Sequence, residues 1–83
     1  MELFKEVASI INRNKRQTIE IKPQDRLRED LYIDSFETLM IICDLEDQFH
    51  ITIDPDEIKS MKFVQDIVDN LEIKICGFQT INT

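Results

Sequence analysis

The side chains that could act as nucleophiles in this sequence lie too far from the only histidine. Ser35 and His50 fall at opposite ends of one predicted helix, and about 15 residues of helix separate them by roughly 22 Å. A serine–histidine hydrolase is excluded, because a general base must lie within hydrogen-bond reach of the nucleophile. Cys43 and Asp47 share a helical face with His50, but Cys43 and His50 are about 10 Å apart along the axis. Neither a catalytic residue nor a metal site is predicted from this group.

Ser35 has another possible use, because it stands at the first turn of that helix. Asp34 precedes it, and Glu37 follows three residues after Asp34, which is the capping-box arrangement in which each side chain bonds a backbone N–H. Unpaired N–H groups and the positive end of the helix dipole favour a negative charge there. The position suits an ordinary first-turn serine or a covalently attached phosphodiester.

The elements that position Ser35 are predicted to be helices. The chain has 83 residues with one glycine and two prolines, which leaves little of the chemistry that hairpins need. Apolar residues at helical spacing predict helices over residues 2–14, 35–49, a short turn from 55, and 64–76. The fold class is therefore all-α, a bundle of three main helices and one short helix with a long first loop.

The predicted domain covers residues 1–76. The first loop, residues 15–33, is expected to pack through Ile19, Ile21, Leu27 and Leu31. The last helix is expected to end before Gly77, because glycine accommodates a left-handed terminal residue. Residues 77–83 are therefore predicted to form a flexible tail.

The charge is concentrated in the middle of the sequence. The net charge is −7, yet the segment from Glu29 to Ile58 holds ten acidic residues and neither lysine nor arginine. One interpretation is a solvated acidic face, and the other is a docking surface for basic partners. An EF-hand site is not predicted at Asp54, Asp56 and Glu57, because the ligand alternation and the glycine are absent.

The helix that starts at Ser35 carries two apolar stripes. Ile41, Ile42 and Leu45 belong to the inward stripe, with Thr38 and Phe49. A second stripe lies beside the acidic residues and consists of Phe36, Leu39, Met40 and Cys43. Either part of the second stripe is exposed for recognition, or the long loop covers it.

Composition and charge argue against several other classes of function. The acidic balance disfavours nucleic acid, and no apolar run approaches the roughly 20 residues of a membrane span. Cys43 and Cys76 have no paired or metal-type spacing, so we expect reduced thiols. The N-terminus lacks the pattern of a signal peptide. We expect a soluble, cytoplasmic monomer that does not insert into membranes.

Three segments of the sequence resemble acyl carrier proteins. They are residues 31–37, Leu-Tyr-Ile-Asp-Ser-Phe-Glu, residues 45–49, Leu-Glu-Asp-Gln-Phe, and residues 64–66, Val-Gln-Asp. The resemblance covers roughly residues 1–75 and implies the acyl-carrier-like four-helix bundle. It implies that 4′-phosphopantetheine, delivered from coenzyme A by a separate transferase, is attached at Ser35 with Asp34 beside it. The chain would then be a carrier and not an enzyme, holding acyl groups as thioesters for fatty-acid or related biosynthesis.

The resemblance also implies where partners bind. Expected partners are the phosphopantetheinyl transferase and acyl-transferring or condensing enzymes with basic docking patches. The implied partner-binding residues are Phe36, Glu37, Leu39, Met40, Cys43, Asp44, Glu46, Asp47, Asp56 and Glu57. For the acyl chain we expect a pocket between the helices, lined by Ile42, Leu45, Ile58, Met61 and Leu71.

The sequence departs from the family pattern at several positions. Tyr32 replaces the usual glycine, Phe36 replaces the usual leucine, and Met40 stands where an acid is often found. Lys62 and Phe63 replace the threonine that commonly starts the last helix, which predicts a less well capped helix. Two alternatives stay open: a D-alanyl, aminoacyl or specialised-pathway carrier, and an acidic helical adaptor without a prosthetic group.

Overall fold

The computed structural model consists of four helices in the order expected from the sequence. It describes the backbone of residues 2–81 and the side chains of residues 3–75. The helices are α1 Glu2–Lys15, α2 Ser35–Phe49, α3 Pro55–Ser60 and α4 Val64–Ile81. The all-α bundle with one short helix is confirmed. No helix in the described part is both long and apolar enough to cross a bilayer.

Helix α1 provides the centre of the core. Val7, Ile10 and Ile11 recur at helical spacing and are almost completely buried, and α1 packs against both α2 and α4. Its partners are Ile41, Ile42 and Leu45 of α2 and Val64, Ile67, Val68 and Leu71 of α4. Burial of a large aliphatic side chain stabilises the fold by about 1.5–3 kcal/mol, so these stripes fix the orientation of α2.

The first loop, residues 16–34, is bound to the start of α4 by backbone hydrogen bonds. The Leu27 N–H donates to the Lys62 carbonyl at 2.9 Å, and the Val64 N–H donates to the Asp25 carbonyl at 3.0 Å. Ile21, Leu27 and Leu31 are buried as predicted. Ile19 is not part of this packing, since 46% of its surface is exposed, and its place in the loop core was predicted wrongly.

The start of α4 is well capped, contrary to the prediction. The Asp66 carboxylate accepts the backbone N–H groups of Lys62 and Phe63 at 2.8 and 2.9 Å. Further N–H groups of the first turn bond carbonyls of the first loop. Because the loop and Asp66 satisfy the free donors of the helix start, the missing threonine is compensated.

The end of α4 also differs from the prediction. The helix continues through Gly77 to Ile81, so the expected end before Gly77 is wrong. Glycine permits a left-handed end but does not impose one, and within a helix it costs only about 1 kcal/mol. Residues 82 and 83 of the predicted tail lie outside the described residues, and the domain boundary at residue 76 stays a prediction.

Candidate functional site

Ser35 is the first residue of α2 and is exposed. The Glu37 N–H donates to the Asp34 carboxylate at 2.7 Å, and the Asp34 N–H donates to the Glu37 carboxylate at 3.1 Å. The predicted capping box is therefore confirmed. It fixes the first turn, so the Ser35 hydroxyl stands at the positive end of the helix.

The turn before Ser35 has a feature that the sequence did not reveal. Tyr32 adopts the left-handed region with φ 55°, which is uncommon for a bulky residue. Its carbonyl accepts a hydrogen bond from Lys15 Nζ at 2.8 Å, and the same ammonium pairs with the Glu37 carboxylate at 3.0 Å. Lys15 thus ties α1 to the turn and to the capping box. Tyr32 at the position of the family's usual glycine was the only signal for this turn.

A cavity of about 390 Å³ opens beside Ser35. It lies between the first loop, α2, α3 and the start of α4, and its exposed lining residues include Ser35, Arg28 and Lys59. The apolar lining consists of Leu27, Ile33, Leu39, Ile41, Ile42, Pro55, Ile58, Met61 and Ile67. The attachment position and the pocket are therefore continuous.

The predicted pocket residues divide into two groups. Ile42, Ile58 and Met61 line the cavity. Leu45 and Leu71 do not line it, because both are completely buried against α1 in the core, and their assignment to the pocket is corrected here. The pocket prediction missed the first loop, whose Leu27 and Ile33 form one wall. The available signal was the presence of these apolar residues among charged ones.

The second apolar stripe of α2 is exposed and not covered by the loop. Phe36 is 69% exposed and Leu39 56%, and Met40 and Cys43 are exposed as well. Cys43 is a free thiol, while the Cys76 side chain lies outside the described residues. The stripe begins next to Ser35, so a protein that reaches the Ser35 hydroxyl meets apolar surface there.

Two predicted docking acids of α2 are paired with α1. Glu37 pairs with Lys15, as described above, and both side chains are partly buried at 27% and 15% exposure. Asp44 accepts a hydrogen bond from Asn14 at 2.9 Å and lies 3.7 Å from the Arg13 guanidinium. Part of the acidic run is thus neutralised by basic residues from outside it.

Two further acids, one in α3 and one in α2, also form contacts within the fold. Glu57 pairs with Lys74 of α4 at 2.8 Å, and hydrogen bonds from Asn70, Lys74 and the Asp54 backbone lower the pKa of Glu57 to about 2. Glu46 accepts the Ile53 N–H at 2.9 Å. Asp47 and Asp56 are exposed, and neither has an ion pair among the side chains of residues 3–75.

The arrangement around Ser35 suits a phosphodiester better than a nucleophile. His50 ends α2 in the left-handed conformation, φ 56° and ψ 50°, at the far end from Ser35. The polar side chain that does reach the Ser35 Oγ is Arg28, whose Nη2 donates at 3.4 Å. An arginine cannot act as a general base because it stays protonated, but it is a good partner for a phosphate group. The residues present therefore fit a covalently attached 4′-phosphopantetheine.

Comparisons with known proteins agree with this site. The family described as "Phosphopantetheine attachment site" matches residues 2–75. The acyl carrier protein of Micrococcus luteus is 35% identical over 72 residues, covering 86% of this chain and 89% of that protein. The acyl carrier protein of Myxococcus xanthus is 36% identical over 69 residues, covering 82% and 87%.

The fold leads to the same family. A solved structure from Mycobacterium tuberculosis, described as a candidate acyl carrier protein, superposes with a TM-score of 0.83 at 27% identity. The match covers 86% of this chain and 96% of that one. The chain therefore belongs to the acyl carrier proteins, the family whose members carry acyl groups on a covalently attached 4′-phosphopantetheine.

Proposed function

We propose that Ser35 is the residue to which the 4′-phosphopantetheine arm is attached. The observation that supports this is the exposed hydroxyl at the start of α2, continuous with an apolar cavity. The other serines are less suitable. Ser9 lies in the middle of α1, and Ser60 ends α3, where its hydroxyl donates to the Glu57 carbonyl and the negative end of the dipole disfavours phosphate.

The chain itself is a carrier, and the chemistry is done by partner enzymes. When bound, the arm supplies a thiol that carries acyl groups as thioesters. The residues around Ser35 keep the attachment point accessible: Asp34 and Glu37 fix the first turn, and Lys15 fixes the preceding turn. A rigid attachment point means that partners meet the arm at a defined place on the surface.

The cargo we propose is a fatty-acyl or related hydrocarbon chain that enters the cavity. Moving one CH₂ group of the acyl chain from water into an apolar cavity is favourable by about 0.8 kcal/mol. The apolar lining therefore favours a hydrocarbon chain over a D-alanyl or aminoacyl group. A dry cavity of about 150 Å³ already accommodates benzene, so 390 Å³ suffices for part of a medium chain. Met61 and Ile58 can adapt because both are only half-buried.

Loading the chain with acyl groups of increasing length tests the cavity. The melting temperature should rise with each added CH₂ until the cavity is full and then level off, because further carbons stay in water. Differential scanning calorimetry of the series gives this curve. A melting temperature independent of chain length would show that the acyl group stays outside.

The partners we propose are a phosphopantetheinyl transferase and acyl-transferring or condensing enzymes with basic docking patches. The exposed stripe that begins at Phe36 supplies apolar contact next to Ser35. The exposed acids Asp47 and Asp56 supply a field that attracts basic surfaces. Glu37, Asp44, Glu46 and Glu57 would first have to give up contacts within the fold.

Intact mass after incubation with coenzyme A and a promiscuous phosphopantetheinyl transferase tests the attachment residue. The wild type should gain one phosphopantetheine, and the Ser35→Ala variant should fold normally and gain none. Ser9→Ala and Ser60→Ala are the matched controls and should be modified like the wild type. An unmodified wild type, or a modified Ser35→Ala variant, would refute the assignment.

A further inference from the structure

Arg28 contacts the position at which the arm would begin. It lies in the first loop, seven residues before Ser35, and its Nη2 donates to the Ser35 Oγ at 3.4 Å. This is a long hydrogen bond, formed with a neutral hydroxyl. Arg28 also lines the cavity that opens beside Ser35. Arg28 therefore borders both the attachment oxygen and the cavity.

Two cations near this turn already have carboxylate partners, while Lys59, which also lines the cavity, has none among the described side chains. Lys15 pairs with Glu37 at 3.0 Å, and Arg26 pairs with Asp30 at 3.2 Å. Arg28 has no carboxylate partner among the described side chains of residues 3–75. Five other basic residues also lack an ion pair among these side chains, so what distinguishes Arg28 is its contact with the Ser35 Oγ.

The surroundings of Ser35 would otherwise be unfavourable for an added anion. Asp34 is adjacent in sequence and has no ion pair among the described side chains, while Glu37, two residues after Ser35 in the same capping box, is paired with Lys15. Like charges this close raise the free energy of a phosphate anion unless a cation is near. The free N–H groups of the helix start help, but the first turn already uses the Asp34 carboxylate as acceptor. A nearby cation without a partner is what the site requires.

We infer that Arg28 binds the phosphate of the arm attached at Ser35 and directs the arm towards the cavity. The inference rests on the proposed attachment at Ser35. A phosphodiester on Oγ would bring its unesterified oxygens close to the guanidinium, whose Nη2 is 3.4 Å from that atom. A guanidinium offers two parallel N–H donors to such a group. Arg28 is thus a binding residue for the arm, and the contact would fix the first bonds of the arm against the rim of the cavity.

Phosphorus-31 NMR of the arm-loaded protein tests this contact directly. Arg28→Gln removes the guanidinium from an exposed side chain and should leave the fold intact. Lys59→Gln is the matched control, because Lys59 is the other cation lining the cavity and its removal changes the net charge equally. The reference is the chemical shift of the same loaded protein unfolded in urea.

The ³¹P shift of the loaded wild type should differ from the urea reference. In Arg28→Gln it should move most of the way to that reference, while Lys59→Gln should stay near the wild type. Arg28→Lys should restore the shift in part, because it keeps the charge but loses the planar pair of donors. The Arg28 side-chain Nε–H signal should also shift when the apo protein is loaded.

The outcomes separate this inference from the assignment of Ser35. If intact mass shows no arm on the wild type, the attachment proposal fails. If the arm is present on Ser35 but Arg28→Gln leaves the ³¹P shift unchanged, only the role of Arg28 is wrong. Equal movements in Arg28→Gln and Lys59→Gln would also refute it, because they would indicate a general effect of charge and not a contact.

Discussion

Five of the ten acidic residues between Glu29 and Ile58 fall into two groups with different surroundings. Glu37, Asp44 and Glu57 are paired with basic residues of α1 and α4. Asp47 and Asp56 are exposed and have no ion pair among the described side chains. All five look alike in the sequence, where the whole segment lacks lysine and arginine. The paired acids hold elements together, and the free acids remain available to partners.

The difference shows that a run of acidic residues in a sequence does not by itself indicate which of them carry unpaired charge at the surface. A paired acid and its cation produce little field at a distance, because their contributions nearly cancel. A partner that contacts the paired acid must also displace the internal cation. The field of the free acids is not cancelled, and no cation has to be displaced from them. The attraction of basic partners and the direct docking contacts should therefore depend chiefly on the free acids.

The largest effect is expected from breaking the pair that joins α1 to the turn before Ser35. Lys15→Ala removes the ammonium that binds both the Tyr32 carbonyl and the Glu37 carboxylate. Both members of the pair are partly buried, and hydrogen bonds to charged groups contribute about 1.5–3 kcal/mol. The free energy of unfolding in urea should therefore fall by about 2 kcal/mol.

Lys5→Ala is the control for Lys15→Ala, because Lys5 is an exposed lysine of the same helix. Its removal should change the free energy of unfolding by no more than about 0.5 kcal/mol. Equal losses in the two variants would show that helix propensity and net charge, and not the contacts of Lys15, determine the effect.

What the sequence predicted correctly was local. The capping box of Asp34 and Glu37 requires only spacing along the chain, and α2 begins and ends at the predicted residues. The two apolar stripes of α2 also follow from helical periodicity, although the sequence left open whether the loop covers the second stripe. These features depend on residues within a turn of one another, so no tertiary information was needed.

What the sequence did not predict depends on contacts between distant segments. Lys15 and Glu37 are 22 residues apart, and Glu57 meets Lys74 across 17. The cavity likewise needs Leu27 and Ile33 of the first loop, whose position is set by hydrogen bonds to α4. Spacing along one helix does not indicate which other helix it faces, so such contacts cannot be predicted from spacing.

A smaller effect is expected when the free acids are neutralised. The double variant Asp47→Asn, Asp56→Asn should slow the second-order rate of modification by the transferase on the order of tenfold at low salt. Its thermal stability should be unchanged. The difference from the wild type should shrink as salt rises, because exposed charges are screened over about 8 Å at physiological ionic strength.

The double variant Arg13→Gln, Asp44→Asn is the matched control for docking. It removes a paired acid together with its cation, so the net charge and the distant field stay the same. The rate of modification should then remain close to that of the wild type. If this variant is slowed as much as Asp47→Asn, Asp56→Asn, the paired acid contacts the partner directly and the distinction between the two groups is wrong.

The smallest effect is expected from the pH dependence of the Glu57 pair, since these side chains keep some contact with water. Hydrogen bonds from Asn70 and Lys74 lower the folded-state pKa of Glu57 from 4.5 to about 2. A carboxyl group with a lowered folded-state pKa stabilises the fold above its unfolded pKa, and the stabilisation is lost as pH falls towards the folded value. The free energy of unfolding should therefore fall between pH 4.5 and 2 more steeply in the wild type than in Glu57→Gln.

Urea unfolding of both proteins across this pH range isolates the contribution of Glu57, because the other carboxyl groups are common to the two chains. The difference in unfolding free energy should be constant above pH 4.5 and should narrow below it. Lys74→Gln is the control that keeps the carboxylate and removes one of its donors, so it should show a weaker dependence of the same sign. Parallel curves for the wild type and Glu57→Gln would mean that Glu57 binds protons equally in the folded and unfolded chains. Glu57 would then belong with Asp47 and Asp56 as a free acid, despite its distance of 2.8 Å from Lys74.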